Sequence, residues 1–348
     1  VTNSLGHRTV YTHDGAVVTK VVDALGAPTE TEYDEHYRVI SETNALGHQS
    51  QMTYDARGNL TQLVGPDGAT VKVEYDSHDL PQKLIDPVEG EWAWARDAAG
   101  RVLEKRDPLG QVTRYSYYGP WLATISDPAG GQTKVSFDKA GNLEEVVTPD
   151  QAVTRFKSDP LGRLTTTQDA KGNITRRLYD LLGRLTVVFE PDGNRRVLVY
   201  DAEDNVIKAK DAHQEVMMAY GGMNRLRSRT EAGTTVGFEY DTEEQLTSIT
   251  NEHGRVYRFV HGPTGFVAEE HGFDDLLRRY TRDVLGRVSR VDRPGERWSS
   301  YLYDRAGRVK EVQHSDGTSE SYLYRADGEL LVATNQSGSV TLERDALG

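Results

Sequence analysis

The sequence predicts an all-β chain, one long antiparallel β-meander that coils into a spiral strip. Three observations predict it. A seven-residue signature, Tyr-Asp-x-x-Gly-Arg/Asn-Leu/Val, recurs every 20 or 21 residues along the whole 348-residue chain. A second turn signal, Asp/Asn-Pro/Ala-x-Gly, falls about ten residues from each signature. The segments between the two signals are β-branched and aromatic, with faces alternating at period two.

The signature is clearest in Tyr54-Asp55-Ala56-Arg57-Gly58-Asn59-Leu60, Tyr179-Asp180-Leu181-Leu182-Gly183-Arg184-Leu185 and Tyr303-Asp304-Arg305-Ala306-Gly307-Arg308-Val309. Its Asp position falls at 14, 34, 55, 76, 97, 118, 138, 159, 180, 201, 221, 241, 262, 283, 304, 325 and 345. These 17 copies leave no stretch for a second domain, so residues 1–348 are expected to be a single continuous array. Tyr118, Gly221, Gly262 and Arg325 are the exceptions at that position. The signature residues are Tyr33, Tyr54, Tyr75, Phe137, Tyr179, Tyr200, Tyr240, Tyr303 and Tyr324 at the aromatic place. Asp34, Asp55, Asp76, Asp97, Asp138, Asp159, Asp180, Asp201, Asp241, Asp283 and Asp304 supply the carboxylate. Gly58, Gly100, Gly141, Gly162, Gly183, Gly286, Gly307 and Gly328 close the turn. An Asp at the head of a turn accepts backbone N–H bonds, and a Gly at its end supplies positive φ. Asp79, Asp204 and Asn224 take the glycine place in three more copies, and such residues tolerate positive φ better than most.

The second signal is clearest in Asp107-Pro108-Leu109-Gly110 and Asp127-Pro128-Ala129-Gly130. Asp23-Ala24-Leu25-Gly26, Asn44-Ala45-Leu46-Gly47 and Asp169-Ala170-Lys171-Gly172 are variants. Between the turns, Thr113-Arg114-Tyr115-Ser116-Tyr117 and Thr175-Arg176-Arg177-Leu178-Tyr179 read as strands. Thr175, Arg177 and Tyr179 share one face, Arg176 and Leu178 the other. The best helical competitor, residues 202–210, falls on a repeat turn and reads as turn then strand. A Leu/Val row follows the turns (Val39, Leu60, Val102, Leu143, Leu164, Leu185, Val206, Leu226, Leu246, Val267, Val288, Val309, Leu330) and is expected to be mostly buried on one continuous face. Two strands per unit give about 34 strands, a flat ribbon of roughly 160 Å by 20 Å. Sheets twist, and open sheets of more than about ten strands curl. Coiling follows.

Composition removes several classes. There is no cysteine, hence no disulfide, thiolate metal site or cysteine nucleophile. The 54 acidic and 41 basic side chains give a net charge of −13, which disfavours phosphate-backbone binding, so nucleic acid is not expected as a partner. No apolar run is long enough to span a membrane, and Val1-Thr2-Asn3-Ser4 is no signal peptide. The starting Val and the stop inside a unit at Asp345-Ala346-Leu347-Gly348 lead us to expect an internal fragment of a longer chain.

The Tyr-Asp-x-x-Gly-Arg-Leu unit with its Asp-Pro-x-Gly partner resembles the YD repeat of the Rhs family, whose relatives include the C components of bacterial Tc toxins and the teneurins. The resemblance spans essentially the whole chain. It implies a hollow β-cocoon which, in bacterial members, encloses a C-terminal toxin domain. It also implies delivery from the bacterial cytoplasm to target cells in interbacterial competition, in many members by type VI secretion. The implied partners are the enclosed toxin of the same chain and secretion-apparatus spike or chaperone proteins. The alternative it implies is an extracellular adhesion module that recognises a receptor or partner subunit. The family's aspartyl self-cleavage site uses an Asp-Pro-x-Gly-Leu/Trp sequence. Asp159-Pro160-Leu161-Gly162-Arg163 and Asp107-Pro108-Leu109-Gly110-Gln111 lack its final apolar residue and stand in phase with repeat turns. The toxin and any such site are expected outside these residues, so no enzyme activity is expected here.

Outside the period the sequence carries no catalytic or metal-binding motif. The ten histidines (7, 13, 36, 48, 78, 213, 253, 261, 271, 314) show no His-x-His or His-Glu-x-x-His spacing, and no metal or cofactor is expected. His13 and His261 stand at the aromatic place and replace a ring with a ring. There is no Gly-x-Ser-x-Gly elbow and no phosphate-binding Gly-x-x-x-x-Gly-Lys-Ser/Thr loop. Arg38, Arg101, Arg163, Arg184, Arg225, Arg287 and Arg308 follow the turns and are expected to form a ladder of Arg–Asp pairs between neighbouring hairpins rather than a cargo-binding row. Trp92, Trp94, Trp121 and Trp298 are expected to pack across the coil rather than to anchor a cargo. The sequons at Asn59, Asn173 and Asn335 are read as accidental.

Overall fold

The computed structural model describes residues 1–347, in which 33 strands of four to seven residues form one sheet. Each strand pairs antiparallel with its neighbours in sequence, as in Val153–Ser158 with Leu164–Gln168 and Leu164–Gln168 with Ile174–Tyr179. A single 3-10 turn, Gly222–Asn224, is the only helical element among the described residues. The expected meander is therefore the observed fold, and the competitor segment is a turn followed by the strand Val206–Lys210.

Each signature turn closes a hairpin with a one-residue bulge. Leu178 stands opposite Val187 and Tyr179 opposite Leu185, which leaves Thr186 as the extra residue. Its hydroxyl donates to the Leu178 carbonyl at 3.2 Å, and Thr165 does the same to Lys157 at 2.9 Å. Bulges increase local twist, so one per hairpin supplies the curvature that a strip this long needs. Between hairpins the ladder is shorter. Leu164–Gln168 pairs with the next strand only from Thr166–Arg176 to Gln168–Ile174, so consecutive units splay apart toward the signature turns. Two copies depart from the four-residue turn: Asp14 pairs directly with Val17, and Tyr118 with Trp121, around the positive-φ residues Gly15 and Gly119.

The two faces differ. Cross-strand partners Val73, Leu84 and Trp92 lie on one face, as do Phe238, Ile249 and Tyr257. The other carries cross-strand ion pairs, Lys20–Glu30 at 2.7 Å, and Glu104–Arg114, Glu145–Arg155 and Glu269–Arg279 at 2.9 Å. No second layer covers either face; each strand's substantial contacts are with its sequence neighbours. The consequence corrects one expectation. The whole Leu/Val row, Leu164 and Leu185 included, is half-buried rather than buried. Among the described residues the buried apolar ones are only Val187, Val216, Val291 and Val312, at 7 to 9 % exposure. A single curved layer crowds its side chains laterally but cannot remove them from water.

Candidate functional site

Where they are present, the signature residues form a clamp at the turn. Asp180 Oδ1 accepts the backbone N–H groups of Leu182 and Arg184 at 3.0 and 2.9 Å, while Oδ2 takes the Arg184 guanidinium at 2.7 Å. The same Arg–Asp pair, four residues apart at 2.6 Å, recurs at Asp34–Arg38, Asp97–Arg101, Asp159–Arg163, Asp283–Arg287 and Asp304–Arg308. The Arg38 side chain, with the backbone N–H groups of the turn, holds the Asp34 carboxyl down at about 2. Where Asn follows the glycine, as at Asp55 and Asp138, its amide and backbone N–H lower the carboxyl in the same direction. The turn ends in positive φ at Gly58, Gly100, Gly141, Gly162, Gly183, Gly286, Gly307 and Gly328, and at Asp79, Asp204 and Asn224, as expected. Tyr37 and Glu244 hold the same conformation.

The arginine ladder needs a correction. The recurring ion pair is made within one turn; a pair between hairpins is added at Arg184, whose Nη1 lies 2.7 Å from Asp204 Oδ1 of the next turn. What reaches the next unit is the rest of the guanidinium. Arg38, Arg101, Arg163, Arg184, Arg287 and Arg308 each lie 4.3 to 5.1 Å from the ring centroid of the following tyrosine, Tyr54, Tyr117, Tyr179, Tyr200, Tyr303 and Tyr324. Arg184 Nη1 also donates to the Asp201 carbonyl at 3.0 Å. Arg225, beside Gly221, has no such Asp and pairs with Glu244 of the next turn instead.

The tyrosine completes the clamp backwards. Tyr179 Oη donates to the carbonyl of Leu164, 15 residues earlier, at 2.8 Å. Tyr33, Tyr54, Tyr75, Tyr200, Tyr303 and Tyr324 make the same bond to Val18, Val39, Leu60, Leu185, Val288 and Val309 at 2.7 to 2.9 Å. The accepting carbonyl sits where the ladder between units has splayed. Sequence reasoning missed this bond, although one signal pointed to it: arginine, another long donor, stands in for tyrosine at 96, 282 and 344. Arg96 donates to Pro81 and Arg282 to Val267, again 15 residues back, both at 3.2 Å. Phe137 has no hydroxyl; Trp121 stacks on it at 5.3 Å and covers Gly141.

The remaining candidates resolve into the same scheme. Asp159 Oδ1 accepts from Leu161 and Arg163, and Asp107 Oδ1 from Leu109 and Gln111, as turn residues do. Lys105 lies over Trp92 and Arg290 over Trp298, at 4.7 and 4.5 Å, so these rings pack sideways along the sheet and not across the coil. Trp94 is half-buried opposite Lys105. His13 is exposed and His261 half-buried at the aromatic place. Among the described residues, no group of three or more His, Cys, Asp or Glu side chains could hold a metal ion, and no helix is long and apolar enough to cross a membrane.

The coil closes on itself along a seam, which among the described residues is the one feature that joins residues far apart in sequence. Ser4 N–H donates to Glu243 Oε1, and the Ser4 and Thr242 hydroxyls bond to each other, both at 2.7 Å. Arg308 donates to Asp67 at 3.1 Å. Arg325, held above its ordinary pKa first by Asp327, also feels Asp86. Leu25 and Ala45 line a cavity with Phe266 and Leu285. In each case an Asp-Pro-type turn of one winding meets a signature turn about 240 residues later. That spacing is between 11 and 12 units, or about 23 strands, per winding. At ~4.8 Å per strand the winding is on the order of 110 Å around and 35 Å across. Packed sheets stand only ~10 Å apart, so the coil surrounds a space instead of filling it.

The RHS Repeat family profile matches residues 54–89, 96–132 and 159–195. Toxin protein Tse5 of Pseudomonas aeruginosa is 29% identical over 130 residues, 36% of this chain and 10% of that protein. Probable deoxyribonuclease RhsA of Dickeya dadantii is 30% identical over 159 residues, 44% of this chain and 11% of that protein. The chain thus spans about a tenth of the length of these relatives. Among solved structures, TcdB2-TccC3 without its hypervariable C-terminal region matches with a TM-score of 0.76 at 16% identity, covering 99% of this chain and 22% of that one, a likeness of fold. The repeating clamp, the meander it builds and these matches agree: the chain carries the RHS, or YD, repeat.

Proposed function

We propose that this chain is a structural segment of the shell of an Rhs-type toxin, enclosing a C-terminal toxin domain for storage and for delivery in competition between bacteria. The observation that carries the reading is the seam. Two windings joined edge to edge, turn to turn and in register form a continuous wall, and a wall around a space of this width keeps a folded or partly folded domain from its substrates. Relatives named as toxins and as a deoxyribonuclease support it. On this reading the segment is not an enzyme. Its periodic carboxylates are engaged in turns, and an active site needs convergent residues that break the period. The enclosed partner is the toxin domain of the same protein. Spike or chaperone proteins of a secretion apparatus are the further partners, and the protein is made in the bacterial cytoplasm and exported.

The test uses the full-length protein that contains this segment. Limited proteolysis of the intact protein should leave its C-terminal domain protected. Opening the wall with Asp67→Lys, which sets a cation against Arg308, should expose that domain to cleavage. No protection in the intact protein would refute enclosure, and equal protection in both proteins would refute the part given to the seam.

A further inference from the structure

We propose that a row of cations on the ion-pair face, Lys157, Arg176 and Arg195, is a docking surface for an acidic amphipathic helix of a partner protein. Lys157 stands opposite Thr166, Thr166 opposite Arg176, Arg176 opposite Phe189 and Phe189 opposite Arg195. One row thus crosses five strands with a cation on every second strand. Among the described residues, no carboxylate lies within 4.0 Å of these three cations. The repeat supplies one in other units. An acid two residues after the Leu/Val row pairs with a cation ten residues on in Glu104–Arg114, Glu145–Arg155 and Glu269–Arg279, all at 2.9 Å. Thr166 holds that place opposite Arg176. The acids nearby are committed, Glu190 to Arg196 at 2.7 Å and Glu215 to Lys208 and Lys210 at 2.7 and 3.0 Å. Lys72 and Arg258 on this face also lack an acid, but each is the single such cation in its row.

Hydrocarbon is exposed beside the cations. Phe189, within the row, is 39 % exposed, and Arg195 lies over its ring at 5.8 Å. Leu178, Val187 and Val197 form the adjoining row, with Leu178 50 % exposed. Guanidinium forks next to an exposed aromatic and aliphatic surface suit a partner that brings both carboxylates and apolar side chains. The spacing selects its form. Cations two strands apart are ~10 Å apart at ~4.8 Å per strand. Seven residues of helix rise ~10.5 Å and return to the same face, so acids seven residues apart meet successive cations. An extended segment covers that distance in about three residues, and its alternation turns the second acid to the far side. In the helix, apolar residues three and four places after each acid share its face and land on Phe189 and Leu178.

The row belongs to the face of the strip and not to its edge. A winding stacked on the edge meets the turns and leaves such positions open, as the existing seam shows. Gln49 and Glu91 hold the place of Arg195, and Gln51 and Lys72 the place of Arg176, in units whose Asp-Pro-type turns lie at the second winding. All four remain exposed. This inference is independent of whether the coil encloses a toxin.

The test is fluorescence anisotropy with the full-length protein that contains this segment, at about 150 mM salt. The probe is a labelled helical peptide of about 22 residues with Glu at every seventh position, Leu three and four places after each Glu, and Ala and Gln elsewhere. Binding should weaken at least about tenfold in Arg176→Gln/Arg195→Gln. Lys72→Gln/Arg258→Gln, which removes the same charge from the same face outside the row, should bind as the parent does. Arg176→Glu/Arg195→Glu should instead bind the peptide that carries Lys in place of Glu. Circular dichroism establishes that the variants keep the fold. Absence of binding to the parent, equal loss in the two Gln variants, or equal binding of a scrambled peptide of the same composition would each overturn the proposal. Sedimentation with phosphatidylserine vesicles in place of peptide binding would overturn it in favour of a lipid surface.

Discussion

The hydroxyl of Tyr179 isolates the backward half of the clamp. Tyr179→Phe removes the 2.8 Å bond to the Leu164 carbonyl and keeps the ring under Arg163, whose guanidinium carbon lies 4.9 Å from the ring centroid. The bond spans a junction where ladder pairing has stopped, so its acceptor has no strand partner to fall back on. A net hydrogen bond contributes about 0.5–1.5 kcal/mol, and the half-buried site lets water repair part of the loss, so we expect a cost of about 1 kcal/mol. Tyr179→Leu also removes the cation–π contact and should cost about 0.5–1 kcal/mol more. Global melting is the wrong assay, because a long array of nearest-neighbour units is not two-state. Native-state hydrogen exchange reads the local term. Amides of the strands Leu164–Gln168 and Ile174–Tyr179 should exchange about fivefold faster in Tyr179→Phe, and amides ten units away should not change. Tyr115→Phe, whose hydroxyl donates to no carbonyl among the described residues, is the control. Equal exchange in Tyr179→Phe and the parent would refute the claim that the hydroxyl joins the units.

Gly183→Val and Gly307→Val should each destabilise their hairpins by more than about 1 kcal/mol, since φ is +86° and +88° and a β-branched residue resists that region; exchange rates at the two turns check it. Leu164→Asp should cost more than Thr165→Asp, but by about 1–3 kcal/mol rather than the full burial penalty, because Leu164 is half-exposed; equal costs would refute the assigned face. The Asp34 carboxyl, held at about 2 against an ordinary 3.8, binds fewer protons folded than unfolded, so its stabilisation is complete above pH ~4 and is lost as pH falls through about 2. An acid titration by circular dichroism should show that loss, and Asp34→Asn should blunt it. At the unit of Gly262 and Asp283 the stack is reversed, with Arg282 lying over Phe266 at 4.7 Å. Phe266→Arg alone should destabilise by setting two cations together, and Phe266→Arg with Arg282→Tyr should restore the stability; a double-mutant cycle with no coupling would refute the exchange of roles.

Much of this fold was legible because the turns are local. Asp180 and Gly183 act within five residues, and a signature of that span is read directly from the chain. The strands follow from what the turns leave between them. What was not legible spans units. The pairing of Arg163 with Asp159 of its own turn depends on the reach of the guanidinium across a tight turn, and spacing alone leaves open whether the partner is in the same hairpin, a neighbouring one or, as for Arg184 with Asp180 and Asp204, both. The Tyr179–Leu164 bond depends on the splay between units, which the bulge at Thr186 helps to create. The half-burial of the Leu/Val row follows from the absence of a second layer, and a repeat sequence reads the same whether its face is covered or not. The seam was out of reach for another reason. Asp67 and Arg308 are brought together by the radius of the coil, and that radius sums small rotations over more than eleven units.

The clamp and the missing core explain each other. A domain that buries a two-sided core can leave its turns to vary, since the stabilisation lies in packing between layers. This strip has one layer and few buried side chains, so each unit must be held to the next by named contacts along its edge. The places where the signature fails support this. Arg96 and Arg282 replace the tyrosine yet keep its bond to the carbonyl 15 residues back, and Trp121 replaces an arginine yet still covers the ring of the next unit. Residue identity changes at these positions while the contact persists. Contact between units, and through it the radius and closure of the coil, is what the repeat sequence specifies.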